Sequence, residues 1–285
     1  GNLTLISGSY DNTVKKIDPS GNEIWSFDGH TDSVNEVAVD SNGNVYTVSD
    51  DNTVKKIDPD GNEVWTFTGH TNVIRSVVVD SNDNVYTGSG EIKKIDFDGN
   101  EVWSFGGHTG GIEDLAVDSN GYVYSAGGYQ DETVKKIDPS GNEVWTFAGH
   151  SSNVQGVAID SNGNVYSGSR DNTLKKIDPS GNEVWTFGGH TDDIYGVAVD
   201  SNDNVYTGSR DRTVKKINSD SNEIWTFSGH TSYVYDVAVD SNGYVYSAGG
   251  NLDLTVKKID PSGNEVWTFA GHTDDVRGVA VTVIS

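Results

Sequence analysis

The chain has 285 residues, 34% of them hydrophobic, with 34 Gly, five Pro, no Cys and a net charge of −24. So little apolar content with so much Gly suits many short strands joined by turns, and the absence of Cys removes disulfides from the argument. The negative field disfavours nucleic acid and anionic membranes, whose phosphates need clustered Lys and Arg, and no apolar run reaches the length of a membrane helix. No signal peptide is recognisable, and the first residue is Gly rather than Met, which points to a mature segment or an excised piece. The acidic surface also fits a halophilic source. The compartment is not legible.

The chain begins with "LTLISGS" (3–9), which aligns with the later "NVYTGS" and so enters a repeat at its second strand. "TVKKID" and "NEIWSF" follow, and then the first of seven Gly-His pairs, at 29, 69, 107, 149, 189, 229 and 271. One Trp accompanies each repeat, from Trp25 to Trp267. A period of about forty residues signals a propeller or solenoid. In the second repeat four strand-like runs are legible: "VNEVAVD" (34–40), "NVYTVS" (44–49), "TVKKID" (53–58) and "NEVWTF" (62–67). They are rich in β-branched and aromatic residues, and the "DSNG", "SDDN" and "DPDG" between them are turn signals. The chain ends in "VRGVAV", a first strand. The sequence therefore predicts an all-β, seven-bladed β-propeller over residues 1–285 as one domain. Each blade has four antiparallel strands, and the C-terminal first strand joins N-terminal strands two to four to close the ring and remove its free edges.

These Gly-His pairs resemble those of the WD-repeat propeller family. The resemblance implies a buried relay in which His meets a second-strand hydroxyl and an Asp of the next turn. Residue by residue it implies His30 with Thr47 and Asp51, His150 with Ser167 and Asp171, and His190 with Thr207 and Asp211. His272 would meet Ser7 and Asp11 across the two ends of the chain. The third repeat lacks the Asp, because "TGSGEIKK" is two residues shorter. The family's third-strand Trp is replaced by Ile17, Ile57 and their equivalents. "IDPSGNEVW" is similar to the tryptophan-docking motif of quinoprotein-type propellers, which implies Trp packing between neighbouring blades; quinone binding itself does not follow. The constant Gly of each Gly-His pair reads as a turn residue.

Other constellations read as architecture. Seven His at a fixed register would form a ring, not a metal cluster. "DSNGN" and "DPDGN" are too short for calcium loops and read as Asx or Asn-Gly turns. All Lys occur in seven "KK" pairs, so alternation sends one Lys of each pair toward a neighbouring blade. An active site is a local exception, whereas any Ser-His-Asp grouping here recurs in nearly every blade. No catalytic residue, metal ligand or cofactor is assigned, and the chain is expected not to be an enzyme.

The repeats differ from one another in four places: before Gly-His, after "GHT", in the pair inside the first strand, and in the turn between strands two and three. In a propeller these emerge on one face around the channel mouth. The other face carries the near-constant "DSNG" and "DPSG" turns. All five Arg lie in the variable places, and Arg and Tyr are enriched at binding hot spots. The candidate partner-binding residues are Tyr10, Asp32, Asn35, Glu36, Arg75, Glu113, Tyr129, Gln155, Arg170, Tyr195, Arg210, Arg212, Tyr233, Tyr235 and Arg277. They point to a monomeric binding or scaffold propeller that recognises a protein or peptide, with no nucleic acid and no membrane partner. Two alternatives stay open: a lectin-like carbohydrate binder with one glycan site per blade, and a structural or engineered scaffold of recently amplified repeats without a dedicated ligand.

Overall fold

A computed structural model of the protein describes residues 3–283. They form seven four-stranded antiparallel sheets, numbered here blade 1 to blade 7, and no helix. In blade 2 the strands are Val34–Val39, Val45–Ser49, Val54–Ile57 and Glu63–Phe67, in that spatial order. The first strands of blades 2 to 7 are Val34–Val39, Ser76–Val79, Ile112–Val117, Val154–Ile159, Ile194–Val199 and Val234–Val239. Each touches the next, and Val276–Val283 of blade 1 returns to Val34–Val39. First strands thus line a closed central channel, and fourth strands form the rim. Blade 1 is assembled from both ends of the chain: Val276–Val283 pairs with Leu3–Ser9, followed by Val14–Ile17 and Glu23–Phe27.

The apolar core lies between blades rather than within them. Ile6, Val14 and Phe27 of blade 1 meet Val34, Val37, Val45 and Ile57 of blade 2, all buried. This is what alternation along each strand provides, since every sheet is covered on both faces by its neighbours. The fourth-strand Trp docks onto the next blade. Trp25 Nε1 donates to the Pro59 carbonyl at 3.0 Å, and its ring lies over Gly61, where a Cβ would come within 3.1 Å. The contact recurs around the ring and closes with Trp267 donating to Pro19 O at 3.1 Å. Burying an aromatic ring in this way stabilises by about 2–3 kcal/mol on area alone. The "KK" pairs divide as alternation requires: Lys15 pairs with Glu23 at 3.0 Å in its own blade, and Lys16 donates to Pro59 O of the next at 3.0 Å.

The constant Gly of the Gly-His pair is corrected by the structure. Gly29 does not adopt a left-handed conformation; it is needed because the Phe27 ring packs on it, and a Cβ would lie 2.4 Å from the ring's ζ carbon. The same Phe ring then meets the His30 ring edge-on, at 86°. Close approach, not turn geometry, fixes this Gly in every blade.

Candidate functional site

The His relay lies beneath the variable face. His30 Nε2 is 2.6 Å from Thr47 Oγ1, and its Nδ1 is 2.7 Å from Asp51 Oδ2. Asp51 also accepts from the backbone N–H of Thr31 and from the N–H and hydroxyl of Thr53. An ionised Asp only accepts, so Nδ1 carries hydrogen; in the neutral ring Nε2 then accepts from the Thr47 hydroxyl. His150 with Ser167 and Asp171, and His190 with Thr207 and Asp211, repeat this geometry. His272 does so across the closure, 2.7 Å from Ser7 and 2.8 Å from Asp11. Burial alone would raise these Asp carboxyls, but the hydrogen bonds from His and Thr outweigh it and hold them well below the usual range. The hydroxyls of Ser7, Thr47, Ser167 and Thr207 are fully buried, out of reach of any substrate.

Three blades depart from the pattern. In blades 4 and 7, where the turn is longer, Asp131 and Asp253 lie 2.9 and 3.1 Å from Nδ1 of His108 and His230. These contacts are of ion-pair range, and neither nitrogen makes a regular hydrogen bond. In blade 3 His70 keeps only Thr87, at 2.7 Å, and burial pushes its pKa down to about 4. Where the family resemblance places Trp, Ile17 and Ile57 are buried in the core between blades.

At the channel mouth the first strands carry β-bulges. In blade 2, Val34 faces Ser49 and Glu36 faces Val48, so Asn35 has no opposite residue. Blades 4 to 7 are bulged at the same place. A bulge breaks the in-out alternation and re-aims a side chain. Both members of the variable pair, Asn35 and Glu36, therefore line one cavity of about 200 Å³. Of the other candidates, Tyr10, Arg75, Glu113 and Gln155 line it, as do Tyr195, Tyr235 and Arg277. The Arg277 guanidinium lies 3.8 Å from the Tyr235 ring centre and 4.9 Å from that of Tyr10. Tyr195 packs on Tyr235 at 5.2 Å, and Arg75 pairs with Glu113 at 3.0 Å. Asn35 donates to Asp50 at 2.7 Å.

The remaining candidates lie outside the cavity. Tyr233 meets Tyr235 edge-on and carries the Arg210 guanidinium 5.0 Å above its ring. Arg170 and Arg210 approach Asp193 at 3.9 and 3.8 Å. Asp32, Tyr129 and Arg212 are exposed, and none of them lines the cavity.

Sequence reasoning left four lining residues out of the candidate set: Asp50, Val73, Asp114 and Asp236. The last two occupy the same second bulge place as Glu36, and that equivalence was the available signal. Glu36, Asp114 and Asp236 accept from the N–H of Val77, Val157 and Val279 in the following blade, at 3.0, 2.9 and 3.0 Å. Blades 5, 6 and 1 have Gly156, Gly196 and Gly278 at this place, where a Cβ would meet the next first strand at 2.6, 2.8 and 2.9 Å. The three acids are only partly shielded at their surface, yet protein surrounds their carboxyls. Burial, then mutual repulsion, drives the Glu36 carboxyl well above its usual value. Burial likewise pushes Asp114 up to about 7 and Asp236 up to about 8 against the pull of their N–H donors. Among the described residues no three His, Cys, Asp or Glu are placed to hold one metal ion.

Comparison with known proteins divides the chain. The family model described as "WD domain, G-beta repeat" matches residues 141–178, 181–218 and 221–260. These are WD repeats. The model described as "Outer membrane protein assembly factor BamB" matches residues 10–125. The chain is also similar to the crystal structure of the WD40 β-propeller domain of Doa1. That likeness has a TM-score of 0.77 and 21% identity, covers 86% of this chain and 85% of the other, and is one of fold. No curated protein matches the chain. WD40 propellers are typically protein-interaction scaffolds and generally not enzymes.

Proposed function

We propose that this propeller is a non-enzymatic binding module that takes a protein or peptide segment at its channel mouth. One observation carries the reading: the variable pair inside the first strands converges, through the bulges, on a single cavity rimmed by stacked Tyr and Arg. Architecture alone would keep these positions as uniform as the relay beneath them. Flat aromatic rings and a fixed guanidinium offer large contact area with few rotors, as binding hot spots do. The lectin-like alternative drew on the repeated Trp, but each indole is engaged by the next blade, as Trp25 is by Pro59 and Gly61.

The test is selection of a displayed peptide library on the folded protein, with counter-selection on a variant carrying Arg75→Ala, Tyr195→Ala, Tyr235→Ala and Arg277→Ala. Peptides that bind the native protein and not the variant, at comparable thermal stability, support the reading. Recovery only of peptides that bind both equally would sink it.

A further inference from the structure

We propose that the mouth cavity seats the cationic side chain of a basic peptide segment. The inference rests on the peptide-binding reading above and names the side chain the site would take.

Size comes first. At about 200 Å³ the cavity lies below the roughly 300–1,000 Å³ of small-molecule pockets, so it accommodates one extended side chain rather than a compact ligand. Charge comes second. Glu36, Asp114 and Asp236 project from three blades into one channel and repel one another across it. Their close partners are backbone N–H groups and the Ser76 hydroxyl, which satisfy lone pairs without cancelling charge. Of the cations nearby, Arg75 pairs with Glu113 at 3.0 Å, and Arg277, stacked on Tyr10 and Tyr235, offsets part of the Asp236 charge. The channel wall therefore holds carboxyls that burial and mutual repulsion keep largely protonated, and an entering cation would relieve that repulsion and pair with them in ionised form.

A third, independent observation concerns Gln155. Its Nε2 is buried, has no hydrogen-bond partner and belongs to the cavity wall. A buried donor calls for an acceptor, and a peptide carbonyl supplies one next to the cation. Among the described residues no three carboxylates are placed to hold one metal ion. A guanidinium or ammonium instead distributes several N–H donors among separate acceptors. The field of a chain with net charge −24 would draw such a segment in.

The experiment uses the peptides selected above at neutral pH. Two carboxyl variants are compared: E36Q/D114N/D236N, which keeps an amide oxygen for each backbone N–H, and D60N/D98N/D220N, which removes three carboxyls from exposed turns of the opposite face. The expected result is a Lys or Arg at one fixed place in the selected peptides. Replacing that Arg by citrulline, or using the mouth variant, should weaken binding by about tenfold or more, with the opposite-face variant within about twofold of the native protein. Peptides that require Tyr195 and Tyr235 but tolerate both citrulline and the mouth variant would overturn the cation inference and leave mouth binding standing. Equal weakening by the two carboxyl variants would also overturn it, because long-range charge would then be the cause. If no selected peptide depends on the mouth, the peptide-binding reading falls too.

Discussion

The sharpest test of the relay is Asp211→Ala. The Asp211 side chain is almost wholly buried, and its two oxygens serve four donors. Oδ2 accepts from His190 Nδ1 at 2.6 Å and from the Thr191 N–H at 3.2 Å; Oδ1 accepts from the Thr213 N–H at 3.0 Å and the Thr213 hydroxyl at 2.6 Å. Truncation leaves the buried His190 Nδ1–H only its long contact to the Thr213 hydroxyl, at 3.4 Å. Leaving a buried donor unsatisfied costs about 1–3 kcal/mol, so the donors that Asp211 serves together put the loss at about 3–5 kcal/mol. At about 2 °C per kcal/mol for a chain of this size, the midpoint of thermal unfolding should fall by roughly 6–10 °C. Urea unfolding followed by Trp fluorescence, beside calorimetry, measures it. The folded Asp211 carboxyl is depressed, so its contribution is present above the ordinary Asp pKa and lost as pH falls below it. The gap between native and variant proteins should therefore shrink in acid. A loss under about 1 kcal/mol at neutral pH, or a gap that persists unchanged in acid, would refute the relay as a stabilising element.

Blade 3 should be the weakest part of the ring. It lacks the relay Asp, its first strand is only Ser76–Val79, and the flanking Phe67 and Phe105 are half-buried while Phe27 and Phe147 are buried. Hydrogen exchange should be fastest there; faster exchange at the closure between Leu3–Ser9 and Val276–Val283 would contradict this. The channel acids have the opposite pH sign to the relay. A carboxyl whose folded pKa is raised favours the fold while protonated and opposes it once ionised. With Glu36, Glu113, Arg75 and Arg277 facing them, Asp114 and Asp236 should make stability fall as pH rises from the ordinary Asp range up to about 7 and 8 and level off above, and D114N/D236N should flatten that slope in urea titrations. Gly61→Ala should cost upward of about 1 kcal/mol in chemical denaturation, because Gly61 has φ +94° and the Trp25 ring lies where the methyl would go. Deleting residues 274–285 should open the ring and lower the thermal midpoint sharply, since Leu3–Ser9 would lose its partner strand.

Repetition made the fold legible. A forty-residue period with Asn-Gly and Asp-Gly turns fixes strand number and order, because each blade repeats the same local evidence. The relay partners followed from the same register, down to His272 meeting Ser7 and Asp11 from the other end of the chain. What stayed hidden depends on local departures from the ideal strand. Strict alternation would point Asn35 and Glu36 to opposite sides, whereas the bulge brings both to the channel. Asp114 and Asp236 were visible as variable letters, but their bonds to the next blade's backbone exist only once neighbouring blades pack together. The role of Gly29 was misread for a related reason: the ring packed upon it comes from Phe27, two residues earlier, through a contact that no turn signal encodes.

The closure also decides the geometry of attachment. Leu3 lies opposite Val283, so the two ends of the described chain leave side by side. A first strand runs away from the Tyr–Arg rim, and a second strand starts on the far side and runs toward it. Both ends therefore emerge on the face remote from the mouth. A tether, tag or neighbouring module spliced to either end would begin there, and two such additions would start within a strand spacing of each other. A surface could hold the propeller by either end with its mouth turned outward.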